Sequence, residues 1–346
     1  VFLSLASVSA RILLHPLLKD NQCQIYRCNT NFILTTGQCA YFEGNDYILQ
    51  ACDEGTYCPA SPALKANVTC VPVDTSTYNT SWPGESCDND QACAFGTCIN
   101  HVCYGQEEDS FCSQHDDCNV GLRCNSDNRC VSQLEAGDTG CLTDYDCVNN
   151  AGCTSSQCVN YFGLKEGAFV SCNGTEPQFS NFCSSGACYG TVCLAPLEHK
   201  YSQPQECYSD GDCQSNTYES KEGLTYYSSC ECGYNKKATS FCSLLSGDDA
   251  YLDYLSFLKT WYASKDVQKC STTRRLAAHC IEDIAGEKKA QEYLYLSTLA
   301  LNYAQLQDSD HCVRDVYFYD YYEAGDYLDI DDWAIYLGVS WAALGL

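Results

Sequence analysis

Cysteine is the residue type whose number and spacing carry the most chemistry in this sequence. The chain has 346 residues and 30 cysteines, and a cysteine can form a disulfide or, as a thiolate, bind a metal. Twelve of them form three blocks of four with nearly equal gaps: Cys87, Cys93, Cys98, Cys103; Cys112, Cys118, Cys124, Cys130; and Cys141, Cys147, Cys153, Cys158. Almost no apolar run separates them, so these segments must be held by covalent bridges rather than by a packed core.

The blocks belong to a longer array of similar units. Five units begin at Cys87, Cys112, Cys141, Cys172 and Cys207. A period that drifts from 25 to 35 residues is typical of a repeat array. The predicted fold class is therefore small disulfide-rich repeats, built from short β-hairpins and loops in an elongated array, followed by a small α-helical domain.

Acidic residues stand just before the second cysteine of several units, as in Asp116-Asp117-Cys118 and Asp146-Cys147. Closely spaced carboxylates are ligands for Ca²⁺, but Asp in a tight loop also accepts hydrogen bonds from its own backbone. Because the spacing is not that of an EF-hand loop, we favour hydrogen bonding within the turn over Ca²⁺ binding for these acids. Zinc would need reduced thiolates, which an oxidising compartment disfavours. We predict no cofactor, with Ca²⁺ as the minor alternative.

The unit, with four or five residues between most of its cysteines and an acid before the second, resembles the Dickkopf N-terminal and EB-type cysteine-rich modules. Short tails such as residues 96–103 add to the likeness, which extends from Cys87 to Cys242. Arrays of such modules are frequent in secreted and surface proteins of ciliates and other protists. The resemblance implies an extracellular disulfide module and carries over no signalling activity, because no receptor-binding residues match.

Composition also predicts a secreted or cell-surface glycoprotein. Asn67, Asn79 and Asn173 begin N-glycosylation sequons within the cysteine-rich half. The net charge is −26, from 45 acids and 19 bases, so nucleic acid and anionic bilayers are repelled. The six histidines are scattered, and no nucleophile elbow or phosphate-binding loop occurs. We therefore predict that the chain is not an enzyme.

The cysteine groups and composition divide the chain into five parts: an apolar arm or signal-peptide remnant at 1–19, a six-cysteine module at 20–81, the repeat array at 82–242, a disulfide-stapled helical domain at 243–312, and a Tyr- and Asp-rich tail with an apolar end at 313–346. The even count lets the six-cysteine module close with three bridges. Apolar stripes at helical spacing predict helices with Leu252, Leu255, Leu258 and Trp261, from near Thr273, and after Gly286 with Leu296 and Leu299.

Cysteine parity predicts a link between the last repeat and the helices. Five cysteines lie at 207–242 and three at 270–312, so neither group can close alone. At least one bridge should therefore cross this boundary, unless a cysteine pairs between chains. The candidate inter-domain disulfide cysteines are Cys242, Cys270, Cys280 and Cys312.

Both ends of the chain are apolar, and this suggests how it functions. The candidate assembly contacts are Leu13, Leu14, Leu17, Leu18, Trp333, Leu337 and Trp341. Packing of one end on the next subunit would build a filament. The leading hypothesis is a structural protein that self-assembles into an extracellular or surface fibre, with itself as partner. The alternative is an adhesion or ligand-binding ectodomain anchored to a membrane or lipid through its C-terminal tail.

Overall fold

The structure, a computed structural model, describes residues 23–317 except 30–36, 45, 54–55, 60–66, 73–80, 173–177, 200–203, 218–224 and 246. All thirty cysteines lie in the described residues, and they pair in fifteen disulfides with none left free. The protein is therefore a disulfide-rich chain of many small β-hairpins with a C-terminal helical region.

The N-terminal region forms six strands: β1 (Ile25–Cys28), β2 (Gln38–Glu43), β3 (Asp46–Leu49), β4 (Thr56–Tyr57), β5 (Val68–Thr69) and β6 (Val71–Pro72). Four of them make a sheet in the order β1-β3-β2-β5, and β4 pairs with β6. β3 lies between β1 and β2 in the sheet. It runs parallel to β1 and antiparallel to β2.

The bridges of this region differ from the predicted ones. Two are internal and two leave the region: Cys39–Cys58, Cys52–Cys70, Cys23–Cys232 and Cys28–Cys312. The prediction of a direct bridge from the last repeat to the helices is wrong, because Cys242 pairs with Cys213, and Cys270 pairs with Cys280. The reason is that β1 lies between the last repeat unit and the helices. The ring of its Tyr26 stacks on Tyr234 at 4.7 Å and meets Tyr317 at 6.3 Å.

The repeat array contributes fifteen short strands: β7 (Thr97–Ile99), β8 (Val102–Tyr104), β9 (Leu122–Cys124), β10 (Cys130–Ser132), β11 (Ala151–Thr154), β12 (Gln157–Asn160), β13 (Gln178–Phe179), β14 (Ala187–Tyr189), β15 (Val192–Cys193), β16 (Leu197–His199), β17 (Glu206–Cys207), β18 (Gln214–Thr217), β19 (Thr225–Tyr227), β20 (Cys230–Cys232) and β21 (Ser240–Cys242). Two-residue turns close three of the hairpins, and in two of them both turn residues have positive φ, as type I′ turns require. The residues of these two turns are Asn100, His101, Ser155 and Ser156.

All five units share one disulfide connectivity, in which the first cysteine bonds to the third and the second to the fourth. The fifth unit has an additional cysteine, Cys232, which bonds outside the unit and is left out of this numbering. The third and fourth cysteines face each other across a hairpin: Cys98 and Cys103, Cys124 and Cys130, Cys153 and Cys158, Cys188 and Cys193, Cys230 and Cys242. Residues directly opposite in a ladder project to the same side. Both bridges of a unit therefore tie one face of the hairpin to the loop before it.

Five α-helices follow within the described residues: α1 (Asp249–Ala263), α2 (Ala278–Ala285), α3 (Glu287–Leu301), α4 (Tyr303–Leu306) and α5 (His311–Tyr317). Leu255, Leu258 and Trp261 are buried as the stripe on α1 predicts, but Leu252 is 42% exposed. The second helix starts later than expected, because a 3-10 turn at Thr272–Arg274 occupies its predicted beginning.

The largest hydrophobic core joins two regions that the sequence predicts as separate domains. Tyr26, Tyr47 and Leu49 of the N-terminal sheet pack in one cluster with Leu258 and Ile281 of the helices. The repeat units have only small clusters around their disulfides. Among the described residues, no helix combines the length and the apolar character needed to cross a bilayer.

Candidate functional site

The acids before the second cysteine hold the turn of their unit. In the third unit, Asp146 Oδ2 accepts hydrogen bonds from the N–H groups of Leu142 and Thr143, at 2.8 and 2.9 Å. Asp212 repeats this in the fifth unit, where the N–H groups of Tyr208 and Ser209 lower the pKa of its carboxyl. The predicted turn role is confirmed, since these bonds close the 3-10 turn that leads into the second cysteine.

A second acid, three residues before the second cysteine, ties this turn to the hairpin. Its carboxylate accepts the backbone N–H of the third cysteine in three units: Asp90 from Cys98, Asp144 from Cys153, and Asp210 from Cys230, at 2.7–2.8 Å. In the second unit His115 Nδ1 accepts the N–H of Cys124 instead, and burial lowers the pKa of His115, which keeps it neutral as an acceptor needs to be. Sequence reasoning missed this role, although the recurring position is its signal.

Cysteine sulfurs cluster without forming a metal centre of thiolates. Three sulfur atoms lie within 4.8 Å of one another at five places, for example Cys112, Cys118 and Cys130. These clusters arise because two disulfides lie side by side, in four of the repeat units and in the N-terminal region. Disulfide sulfur is not the deprotonated thiolate that zinc requires.

Arg275 joins the helical region to the third unit. Its side chain is almost fully buried. The guanidinium donates to the backbone carbonyls of Ala151 at 2.7 Å, Asp144 at 2.8 Å and Thr272 at 2.8 Å. It also lies 5.5 Å from the ring centroid of Tyr145. One buried cation therefore satisfies carbonyls from both sides of the joint.

Asparagine and glutamine side chains extend the same joint. Asn149, which is buried, donates from Nδ2 to the carbonyls of Val267 and Cys270, each at 2.7 Å. Gln268 Nε2 donates to Asn150 Oδ1 at 3.0 Å. Because these buried polar groups are paired, unit three and the segment before α2 form one packed interface.

A charged cluster joins the first unit to α2. Glu85 is fully buried, and its Oε2 accepts the N–H of Trp82 at 2.8 Å. Arg274 Nε and His279 Nδ1 lie 3.6 and 3.4 Å from the Glu85 carboxylate. The contact with Glu85, and then the charge of Asp283, raise the pKa of His279 above its usual range. This side of the joint therefore depends on a titratable group.

The predicted attachment and assembly residues are placed only in part. Asn67 is exposed immediately before β5, where a glycan can be accommodated. Asn79 and Asn173 lie outside the described residues, as do all predicted assembly contacts, namely Leu13, Leu14, Leu17, Leu18, Trp333, Leu337 and Trp341. Glycosylation and assembly through these residues stay predictions.

Large apolar side chains are exposed at two recurring positions of the unit. Leu142 and Tyr208 follow the first cysteine and are 83% and 77% exposed. Phe111 and Phe169 pair with the hairpin of their unit and are 67% and 62% exposed. Exposed aromatic residues are enriched in protein contact surfaces. We call these four residues the repeat contact surface.

Comparison with known proteins finds no matching family profile and no matching solved structure. The chain is similar to three curated proteins. It is 26% identical over 224 residues to the cell-cell adhesion glycoprotein 64 of Heterostelium pallidum, over 60% of this chain and 62% of that protein. It is 23% identical to protein psiQ of Dictyostelium discoideum over 218 residues, covering 59% of this chain and 21% of psiQ.

The third relative is the prion-like (Q/N-rich) domain-bearing protein 25 of Caenorhabditis elegans, 25% identical over 225 residues, which are 58% of this chain and 30% of that protein. The chain thus spans from about a fifth to less than two thirds of the length of these relatives. Fifteen disulfides are characteristic of oxidising compartments. The chain is a cysteine-rich protein of the extracellular or cell-surface type.

Proposed function

We propose that the chain is a non-enzymatic, glycosylated surface protein that mediates adhesion through its repeat contact surface. The observation that carries this proposal is the similarity to the cell-cell adhesion glycoprotein of Heterostelium pallidum, of which the chain spans more than of the other two relatives. The exposed side chains of the repeats and the paired cysteines support it.

The rigidity of the array suits this role. A backbone bridge between Leu134 and Cys147 links the second unit to the third, and Arg123 forms a largely buried ion pair with Asp146 across the same junction. Contact residues on neighbouring units are then held at fixed distances. Such preorganisation lowers the entropy cost of binding, and several weak contacts act together.

A bead assay tests adhesion. The secreted, disulfide-intact chain is attached to beads, and clustering of beads with each other and binding to cells of the source are counted. We expect the wild-type chain to cause bead clustering, cell binding or both. The double variant Phe111→Ser/Phe169→Ser should reduce the counted clusters or bound beads at least tenfold. Leu252→Ser is the matched control, because Leu252 is an exposed apolar residue outside the repeats. Dispersed wild-type beads that bind no cells would contradict adhesion.

Self-assembly into a fibre is the second candidate, favoured by the apolar stretches at 12–18 and 333–346. Here the partner is a second copy of the chain. Electron microscopy of native material, with mass spectrometry of its termini, tests it. Filaments built from chains that retain both stretches are expected, and a monodisperse monomer with both stretches present would exclude this candidate.

A further inference from the structure

The junction between the third and fourth units is longer than the two before it. In each junction, the residue that bridges to the next unit's second cysteine follows the fourth cysteine of its own unit: Gln106 after Cys103, Leu134 after Cys130, and Leu164 after Cys158. The separation thus grows from three to four to six residues. The extra residues include Tyr161 and Phe162, which lie against α1 and form a recess there.

The recess is small and has aromatic walls. Its volume is about 280 Å³, and it lies among Tyr161, Phe162 and Tyr262. The rings of Tyr161 and Tyr262 are 4.5 Å apart, and those of Phe162 and Tyr262 are 6.2 Å apart. Tyr161 donates its hydroxyl hydrogen to Asp144 at 3.1 Å, and its hydroxyl oxygen faces Arg275. These walls are therefore fixed before any ligand arrives.

Phe162 adopts a backbone conformation that is rare for a bulky residue. Its φ is +57°, in the left-handed region that strongly favours glycine. Its N–H donates to the carbonyl of Asn181 in the fourth unit, and Gly163 N–H bonds back to Asn160. Backbone strain of this kind concentrates at binding sites. Here it places an aromatic ring, rather than a glycine, at the recess.

Polar groups beside the recess have bonding capacity to spare. Asn150 Oδ1 accepts from Gln268, while its amide nitrogen and both amide atoms of Asn160 make no hydrogen bond within the part of the chain that the structure describes. An Asn amide is both donor and acceptor, so two of them can bind a pair of neighbouring hydroxyl groups.

Lys259 supplies a cation to the same recess. Its ammonium lies 5.7 Å from the ring centroid of Phe162. Lys259 has no carboxylate partner among the described residues; Lys165, Lys265 and Lys288 also lack one, but none of these three lines the recess. Burial lowers the pKa of this ammonium, because water is removed and no anion replaces it. A ligand carboxylate would complete the site.

We propose that this recess binds one ring of an acidic sugar, a uronic acid or similar carboxylate-bearing pyranose. Because Tyr262 is buried against Tyr161, the partly exposed ring of Phe162 would contact the C–H face of the sugar ring. The two asparagines would bind its hydroxyl groups, and Lys259 its carboxylate. Pockets for drug-sized ligands have roughly 300–1,000 Å³, so this recess suits a single ring. Affinity should be weak, with a Kd on the order of 1 mM, since a single ring has few atoms.

The inference does not rest on the adhesion proposal, because the recess shares no residue with the repeat contact surface. Saturation-transfer NMR with the intact chain tests it, using glucuronate, glucose and acetate as probes. We expect glucuronate to bind near 1 mM and acetate at least tenfold more weakly. Glucose has the sugar ring without the charge, so its affinity should lie between those of glucuronate and acetate.

Two variants identify the groups. Lys259→Gln should weaken glucuronate binding at least tenfold and leave glucose unchanged, whereas Lys288→Gln, at an exposed lysine on α3, should change neither. Phe162→Gly suits the positive φ, so it should fold with the same disulfides and lose both sugars. No transfer to either sugar, acetate binding as tightly as glucuronate, or unchanged affinity in both recess variants would overturn the proposal.

Discussion

Replacing Arg275 with Met is expected to open the joint between the third unit and the helices. Met is unbranched like the stem of Arg, is shorter, and has no hydrogen-bond donor. The change leaves the carbonyls of Ala151, Asp144 and Thr272 without the guanidinium that bonds each of them at 2.7–2.8 Å. These acceptors are at a buried interface, where an unpaired carbonyl costs free energy.

The structure sets the size of the effect. A hydrogen bond to a charged group contributes about 1.5–3 kcal/mol, and there are three short ones. Part of this is offset, because Met no longer requires a charge to be desolvated. Each buried carbonyl left unpaired costs about 1–3 kcal/mol, so after this offset we expect a loss of about 3–5 kcal/mol. Arg275→Lys should lower the stability less than Arg275→Met, because Lys keeps the positive charge, although it lacks the planar array of donors of the guanidinium.

Native-state hydrogen exchange, with all disulfides intact, measures this loss locally. Amides of β11 and β12 should exchange about 10²–10⁴-fold faster, since roughly 1.4 kcal/mol corresponds to a factor of ten. Arg129→Met is the matched control, because the exposed side chain of Arg129 makes one hydrogen bond within the described residues, to the carbonyl of Asp109. If Arg275→Met changed exchange less than about fivefold, the joint would not depend on this cation.

Two further predictions concern the other contacts of the helical region. The pKa of His279 is raised in the folded protein, so its contact with Glu85 stabilises the fold fully below about pH 6.5 and loses this contribution as the pH rises through the raised pKa. The difference in stability between the wild type and His279→Gln should therefore shrink from pH 5 to pH 8. A difference that stays constant over this range would refute the assignment. Removing the Cys28–Cys312 bridge in the double Ser variant should lower the free energy of unfolding by about 4–5 kcal/mol, because the intact Cys23–Cys232 bridge shortens the loop it closes from 284 to about 85 residues. Peptide mapping that joins either cysteine to another partner would contradict the structure.

The turn chemistry of the repeats could be predicted from local sequence. The acid directly before the second cysteine accepts backbone N–H groups three and four residues before it, so Asp146 and Asp212 act as the sequence predicts. The helical stripes are also local, and they place Leu258 and Trp261 in the core. Leu252 belongs to the same stripe but is exposed. Burial depends on which residues pack against the helix, and the periodicity of the helix does not contain that information.

The partners of the odd cysteines could not be predicted. Parity required extra bridges, but a disulfide forms between cysteines whose Cα atoms come within about 7 Å, and that proximity follows from the position of β1. Cys232 and Cys312 both pair with the N-terminal region for this reason. The recess at Phe162 has the same origin, since its walls come from the third unit and from α1.

The sequence by itself determined the covalent character of this protein, its oxidising compartment, its four-cysteine units and the turns that start them. These follow from residue type and spacing within about thirty residues. Only the tertiary structure decided which bridges cross between regions, where Arg275 is buried, and that aromatic, amide and ammonium groups meet in one recess. Such features depend on contacts between residues about a hundred or more positions apart, for which the spacing of one chain carries no signal.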